Sequence, residues 1–173
     1  MPKIHPIIFS GDMVRALLAG RKTQTRRLST SPLSKVEPGD LLYVRERFRL
    51  PSVDDALKPT DAPGAIWYDA DGAPDDSEEW SQRSRPAIHL PRDASRLTLL
   101  VRSVNLEALQ DISEADAQSE GVESDIGDHR RAFETLWNAL HPDELWLDNP
   151  EIVALTFEVI HGNVDRLDAG AVK

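Results

Sequence analysis

At 173 residues, with 30 Asp and Glu against 20 Lys and Arg, the chain carries a formal net charge of −10 and contains no cysteine. The length fits one domain with room for an insertion. The acidic balance opposes a general nucleic-acid coat protein, and the missing cysteine excludes disulfide frameworks, Cys-containing zinc sites and thiol nucleophiles together. The charge is unevenly spread: residues 1–49 carry +6, 50–80 carry −8, 81–103 carry +4 and 104–173 carry −12. A basic stretch interrupted by an acidic one can focus an anionic ligand locally, or the acidic loops simply keep the surface soluble.

Ile7-Ile8-Phe9 predicts a short strand. Ser10 is placed to cap a helix over Gly11–Ala19 with Met13, Val14, Leu17 and Leu18 on one face, and Gly20 suits the left-handed position that ends it. After the polar run Arg21–Arg27, the turn signal Pro38-Gly39-Asp40 opens a strand over Leu41–Leu50. Leu42, Val44, Phe48 and Leu50 share one face of it; Tyr43, Arg45, Arg47 and Arg49 share the other as an outer basic stripe, expected to bind an oligonucleotide. Glu46 falls on the apolar face. A carboxylate there needs a partner or a cleft, and the expected partner is a base in Arg21–Arg27.

Residues 51–86, rich in Pro, Asp, Ser and Ala, read as an inserted acidic loop or lid with one short strand at Ala65-Ile66-Trp67-Tyr68. Trp67 and Tyr68 either stack on a base or pack within the insertion. A strand follows over Ser95–Leu106. Ser113 and Asp116 then open a helix that Gly121 stops, and Asp128 caps another carrying Phe133, Leu136, Trp137 and Leu140. Asn149-Pro150 turns into a last strand, Ile152–Ile160, with Val153, Leu155, Phe157 and Val159 inward; 163–173 is expected to be a flexible tail. Short strands mixed with short helices give an α+β class.

The segment Gly20-Arg21-Lys22-Thr23-Gln24-Thr25-Arg26-Arg27 resembles the G-x-K-T-x-T-x-R signature of the ASCH family. The resemblance continues through Pro38-Gly39-Asp40, Val44-Arg45-Glu46, Pro91-Arg92, Ser95-Arg96, Ala117-x-x-Glu120-Gly121 and Asn149-Pro150, and so covers the chain outside 51–86 and the tail. Its longer form, with a central insertion, is similar to versions carried by phages and prophages. Asp93 and Glu151 depart from the aromatics usual at those places. The resemblance implies one domain over 1–162, built as a small PUA-like β-barrel with flanking short helices and a cleft for a nucleobase. It also implies, as one family activity, amide hydrolysis of N4-acetylcytidine-type nucleosides, with Lys22, Thr25 and Glu120 as the catalytic residues. Arg21, Thr23, Arg26, Tyr43, Arg45, Glu46, Arg92 and Arg96 are the expected substrate-binding set. Other members are single-strand ribonucleases or non-catalytic RNA- or DNA-binding modules, and those readings stay open.

The residue chemistry permits the first reading. A lysine activates a threonine hydroxyl only when burial or neighbouring arginines lower its pKa, and Arg21, Arg26 and Arg27 stand nearby in sequence. On a regular strand Lys22 and Thr25 would face opposite ways, so the pair needs a turn, for which Gly20 is suited; otherwise the segment is a basic loop that binds phosphate. Glu120, at a helix end where the dipole disfavours a carboxylate, is a candidate proton shuttle. The five histidines show no metal-ligand spacing, and no cofactor is expected. The expected partner is a modified nucleoside or single-stranded nucleic acid. No leader pattern or apolar run of about 20 residues is present, so no membrane contact and a cytoplasmic location are expected.

Overall fold

The computed structural model describes residues 2–51, 66–74, 80–81 and 83–167. Two compact units share the chain. The first comprises Met1–Lys3, Ala16–Asp40 and Leu100–Val159, the second Ile4–Arg15, Leu41–Leu99 and Ile160–Lys173. The strands are β1 (Ile4–Ile8), β2 (Gln24–Leu28), β3 (Leu41–Arg45), β4 (Phe48–Arg49), β5 (Trp67–Tyr68), β6 (Leu97–Ala108) and β7 (Glu151–His161), and the helices α1 (Gly11–Leu18), α2 (Glu114–Ser119) and α3 (His129–Leu140). The protein is α+β, with a mixed five-stranded sheet in the order β1-β3-β6-β7-β2 and a separate β4–β5 ribbon. β1 pairs with β3 in parallel and β2 with β7 antiparallel. In this order β1 and β2 stand at the two ends of the sheet, where a closed barrel would join them. No helix among the described residues is long and apolar enough to cross a membrane.

In the first unit, Ser113 accepts from Asp116 N and opens α2, and Gly121, at φ +82°, turns the chain out of it. Asp128 caps α3 by accepting from Arg131 N. Phe133 and Trp137 of α3 pack with Trp146 and Ile152, the Phe133 ring lying 6.1 Å from Trp137 and 6.4 Å from Trp146. Leu140, expected on that face, is exposed because it falls in the last turn, beyond the reach of the cluster. β7 buries Ile152 and Ala154 as well as Val153, Leu155 and Phe157. Consecutive buried residues mean that β7 is covered on both faces over 152–155, which hides the period-two pattern of a half-exposed strand.

In the second unit the strand expected over Leu41–Leu50 is broken: β3 ends at Arg45 and β4 starts at Phe48. All four residues Leu41–Val44 are buried, Tyr43 included, so the expected outer face does not exist as one stripe. Phe48, Leu50 and Leu90 form the local core with Ile66, Tyr68 and Ala94 against it, and the short strand expected near Trp67 is β5. Most of the expected insertion, at 52–65, 75–79 and 82, lies outside the described residues. Of the expected tail, Val164–Arg166 forms a 3-10 turn on the buried side chains of Val164 and Asn163, and 168–173 lies outside the described residues.

Candidate functional site

The segment after α1 sets the site in the first unit. Gly20, at φ +70°, lets the chain fold back so that Arg21 N and Lys22 N both donate to Ala16 O, at 2.9 and 3.1 Å. Thr23 N then donates to Ser119 O at 2.8 Å, and Phe157 N donates to Thr23 O at 2.9 Å. Lys22 therefore sits in a turn and not in a strand, and its side chain enters the loop that follows α2. Its ammonium donates to Glu120 Oε2 at 2.9 Å and to the Glu120 carbonyl at 2.8 Å. Two motifs about a hundred residues apart thus meet in a place where Lys22 is 1% and Glu120 3% exposed.

Alternation along β2 sorts the rest. Gln24 and Arg26 share one face: Arg26 Nη1 donates to Glu120 Oε1 and to Gln24 Oε1, both at 3.1 Å, and Arg26 Nε donates to Glu107 Oε1 at 3.0 Å. Gln24 Nε2 donates to Asp116 Oδ1 at 2.8 Å. Thr25 and Arg27 share the other face, where Arg27 Nη1 donates to the buried Thr25 hydroxyl at 2.8 Å. Burial lowers the Lys22 pKa; Glu120 opposes that shift, and the Arg27 and Arg26 charges add to it. The Asp116 carboxyl is held below its usual range, first by the Ser113 hydroxyl and then by Gln24 and Arg26, against a smaller upward push from burial.

The structure brings Lys22 and Glu120 into direct contact and joins Arg26 to both motifs. Thr25 engages Arg27, a residue that the sequence reading left out of the site although its two-residue spacing from Thr25 was the signal for it. Glu107 and Asp116 were also missed; nothing local marks a carboxylate at the far end of β6 as the partner of Arg26. Arg21 is half exposed, pairs with Glu123 at 3.0 Å and, with Gly20, Thr23, Ser119 and Gly121, lines a cleft of about 550 Å³. Lys22 and Glu120 are absent from that lining, their side chains being buried behind it.

Gly121 makes the close approach possible. A Cβ there would stand 2.8 Å from Lys22 Cβ and 2.9 Å from Ala16 Cβ, at a φ that side chains rarely adopt. Gly121→Ala is expected to cost about 2–4 kcal/mol, combining backbone strain with overpacking. Gly20→Ala, with φ +70° and open space around it, should lose only about 1 kcal/mol. Urea denaturation of both variants reads the difference, and equal losses would mean that the contact with Lys22 carries no constraint.

The remaining expected site residues lie in the second unit. Glu46 is buried as expected, but its partner is Arg96 and not a base of the Arg21–Arg27 segment: Arg96 Nε and Nη2 donate to its two oxygens at 2.8 and 3.0 Å. The break after β3 frees Glu46 from the strand ladder, and Arg96, just before β6, meets it. Burial pushes the Glu46 carboxyl up, against Arg96. Arg96 also donates to Asp71 at 2.8 Å and lies 4.2 Å from the centre of the Tyr68 ring. Tyr68, pushed up to about 12 by burial and by Glu46, donates to Ala94 O at 2.6 Å. The Arg45 guanidinium lies 5.3 Å from the Tyr43 ring centre, and Arg92 pairs with Asp165. The outer basic stripe is corrected by the same geometry, since Arg47 and Arg49 are turned onto Asp69.

Arg96→Met would leave Glu46 buried with no cation on it. The expected loss at neutral pH is about 2–3 kcal/mol, below the full value for a buried pair because Arg96 is itself partly exposed. Glu46 then has a still higher folded-state pKa. Stability from such a group is present below its unfolded pKa and lost as pH rises through the folded one, and Glu46 is already raised in the unaltered protein, so the deficit of the variant should grow above that raised value and level off once the pH passes the variant's own. A pH-independent deficit in thermal or urea unfolding would contradict this role for Arg96.

No family model and no curated protein matches this chain. Among solved structures the chain is similar to a DUF984 protein from Enterococcus faecalis, at 17% identity and a TM-score of 0.43, over 97% of this chain and 86% of that one. It is also similar to an ASCH domain from Lactobacillus crispatus, at 19% identity and a TM-score of 0.40, over 91% of this chain and 79% of that one.

Proposed function

We propose that the chain is a nucleobase- or nucleoside-recognising domain of ASCH type that hydrolyses the amide of an N4-acylcytidine-type nucleoside. The observation that carries this reading is the buried Lys22–Glu120 contact, which joins the two motifs of the resemblance. A lysine whose pKa burial has lowered supplies a neutral amine as base. Thr25 Oγ adds to the acyl carbon while Lys22 Nζ takes its proton. The carbon–nitrogen bond then breaks as the proton held by Lys22 passes through the Glu120 carboxylate to the leaving amine, and water cleaves the Thr25 ester to free the acid and restore the hydroxyl. Arg27, donating to Thr25 Oγ1, stabilises the oxygen as it loses its proton.

A second reading is favoured by the closure of the site: Thr25 is 0% and Lys22 1% exposed. In it the charge network braces a binding module that does no chemistry. Incubation with a panel of acylated nucleosides and with single-stranded RNA, with products separated by chromatography, decides between them. Free acid plus deacylated nucleoside supports hydrolysis. Shortened RNA supports a ribonuclease, and binding without products supports the module.

A further inference from the structure

Four arginines of the second unit converge on one short acidic turn. After β5 pairs with β4, the chain turns through Asp69–Asp71. Arg49 Nε donates to Asp69 Oδ1 at 3.0 Å, and Arg47 lies 3.7 Å from Asp69 Oδ2. Arg96 Nη1 donates to Asp71 Oδ2 at 2.8 Å, and Arg15 Nη1 donates to Ala70 O at 3.1 Å. The two carboxylates offer these guanidiniums anionic oxygens of the kind that successive phosphates of a nucleic-acid backbone offer.

The outer members of the contact are open to competition, while Arg49 and Asp69, at 19% and 20% side-chain exposure, lie deeper. The Arg47 side chain is 54% and that of Asp71 42% exposed. Ion pairs at such exposure are individually weak, and a polyanion that delivers several phosphates at once gains counterion release that one turn cannot match. Aromatic surface stands alongside: Trp67, which donates to Gly72 O, and Trp80 are both partly exposed, with ring centres 5.7 Å apart. Arginines interleaved with partly exposed indoles suit single-stranded nucleic acid, whose bases stack while its backbone is held.

We infer that the Asp69–Asp71 turn is an autoinhibitory phosphate mimic: it occupies an arginine surface that binds single-stranded nucleic acid when the turn is displaced. The surface belongs to the second unit alone and stands whether or not the first unit hydrolyses amides.

The test is fluorescence anisotropy with a labelled 20-nucleotide oligo-dT over a salt series. Asp69→Asn/Asp71→Asn should bind at least about tenfold tighter than the unaltered protein. Its salt slope should be steeper by about 1.4, corresponding to Arg47 and Arg49 at ≈0.7 each, since Arg96 keeps Glu46. Adding Arg47→Ala to that variant should remove part of the gain. Asp143→Asn/Glu144→Gln, the same change in net charge at exposed positions elsewhere, should stay within about twofold of the unaltered protein. Equal affinity and slope in the turn variant, or an equal gain in the Asp143/Glu144 control, overturns the inference. If the turn variant does not fold, the unaltered protein decides. Saturating oligo-dT at low salt should change an indole emission that is lost in Trp67→Phe, and binding without that change overturns the inference, as does no binding.

Discussion

Glu120→Gln is expected to lower stability by about 3–5 kcal/mol, the cost of breaking a buried ion pair from one side. Gln keeps the size of the side chain and its hydrogen-bonding oxygen, so the loss comes from charge. Arg26 retains Glu107, but Lys22 loses the carboxylate facing it while staying buried, with the Arg26 and Arg27 charges still lowering its pKa. The pH dependence identifies the lysine. Its folded-state pKa lies below the unfolded one, so between the two values the unfolded chain holds more protons and stability rises with pH. Without Glu120 the folded-state pKa falls further, the window widens downward, and the deficit of Glu120→Gln should shrink as pH rises toward the ordinary lysine range. Urea denaturation between pH 6 and 9 measures this. A deficit that stays constant would place the loss at Arg26, and no deficit would mean the pair is not buried in solution.

What the sequence made legible follows from how local each cause is. Ser10, Gly20, Ser113, Gly121 and Asp128 end or begin helices through their own backbone and side-chain chemistry, and all five act where they were expected. Burial of Glu46 was readable from its parity in an apolar run. Its partner was not, because Arg96 arrives from fifty residues away and its pairing depends on the kink after Arg45. The basic stripe failed for a related reason: alternation in Leu41–Leu50 assumes one straight strand, and the break at Glu46-Arg47 rotates Arg47 and Arg49 onto Asp69, whose nearness no periodicity encodes. Lys22 and Glu120 came together through a resemblance and not through spacing. The turn that makes the approach feasible was nevertheless signalled by Gly20.

Thr25→Ala is expected to reduce acyl release from the best acylated nucleoside by at least about 10³-fold, since it removes the attacking oxygen. Thr25→Ser, which keeps the oxygen, should retain measurable turnover. Lys22→Met should be nearly as damaging while leaving the chain folded, because the thioether fills the space of the lysine stem and Glu120 keeps Arg26 as a partner. The pH profile separates a base from a brace. A neutral amine is needed, so the rate should rise with pH to a plateau whose midpoint lies below the ordinary lysine range, the direction in which burial moves Lys22. Glu120→Gln should move that midpoint lower by removing the counter-charge, and it should cut the plateau by about 10²–10⁴, the span for a positioned proton donor. A brace would give neither shift, only a loss proportional to the fraction unfolded. Turnover that survives Thr25→Ala would make water the nucleophile. Turnover absent from the unaltered protein on every acylated nucleoside, with oligonucleotide binding intact, would leave the network as the support of a binding module.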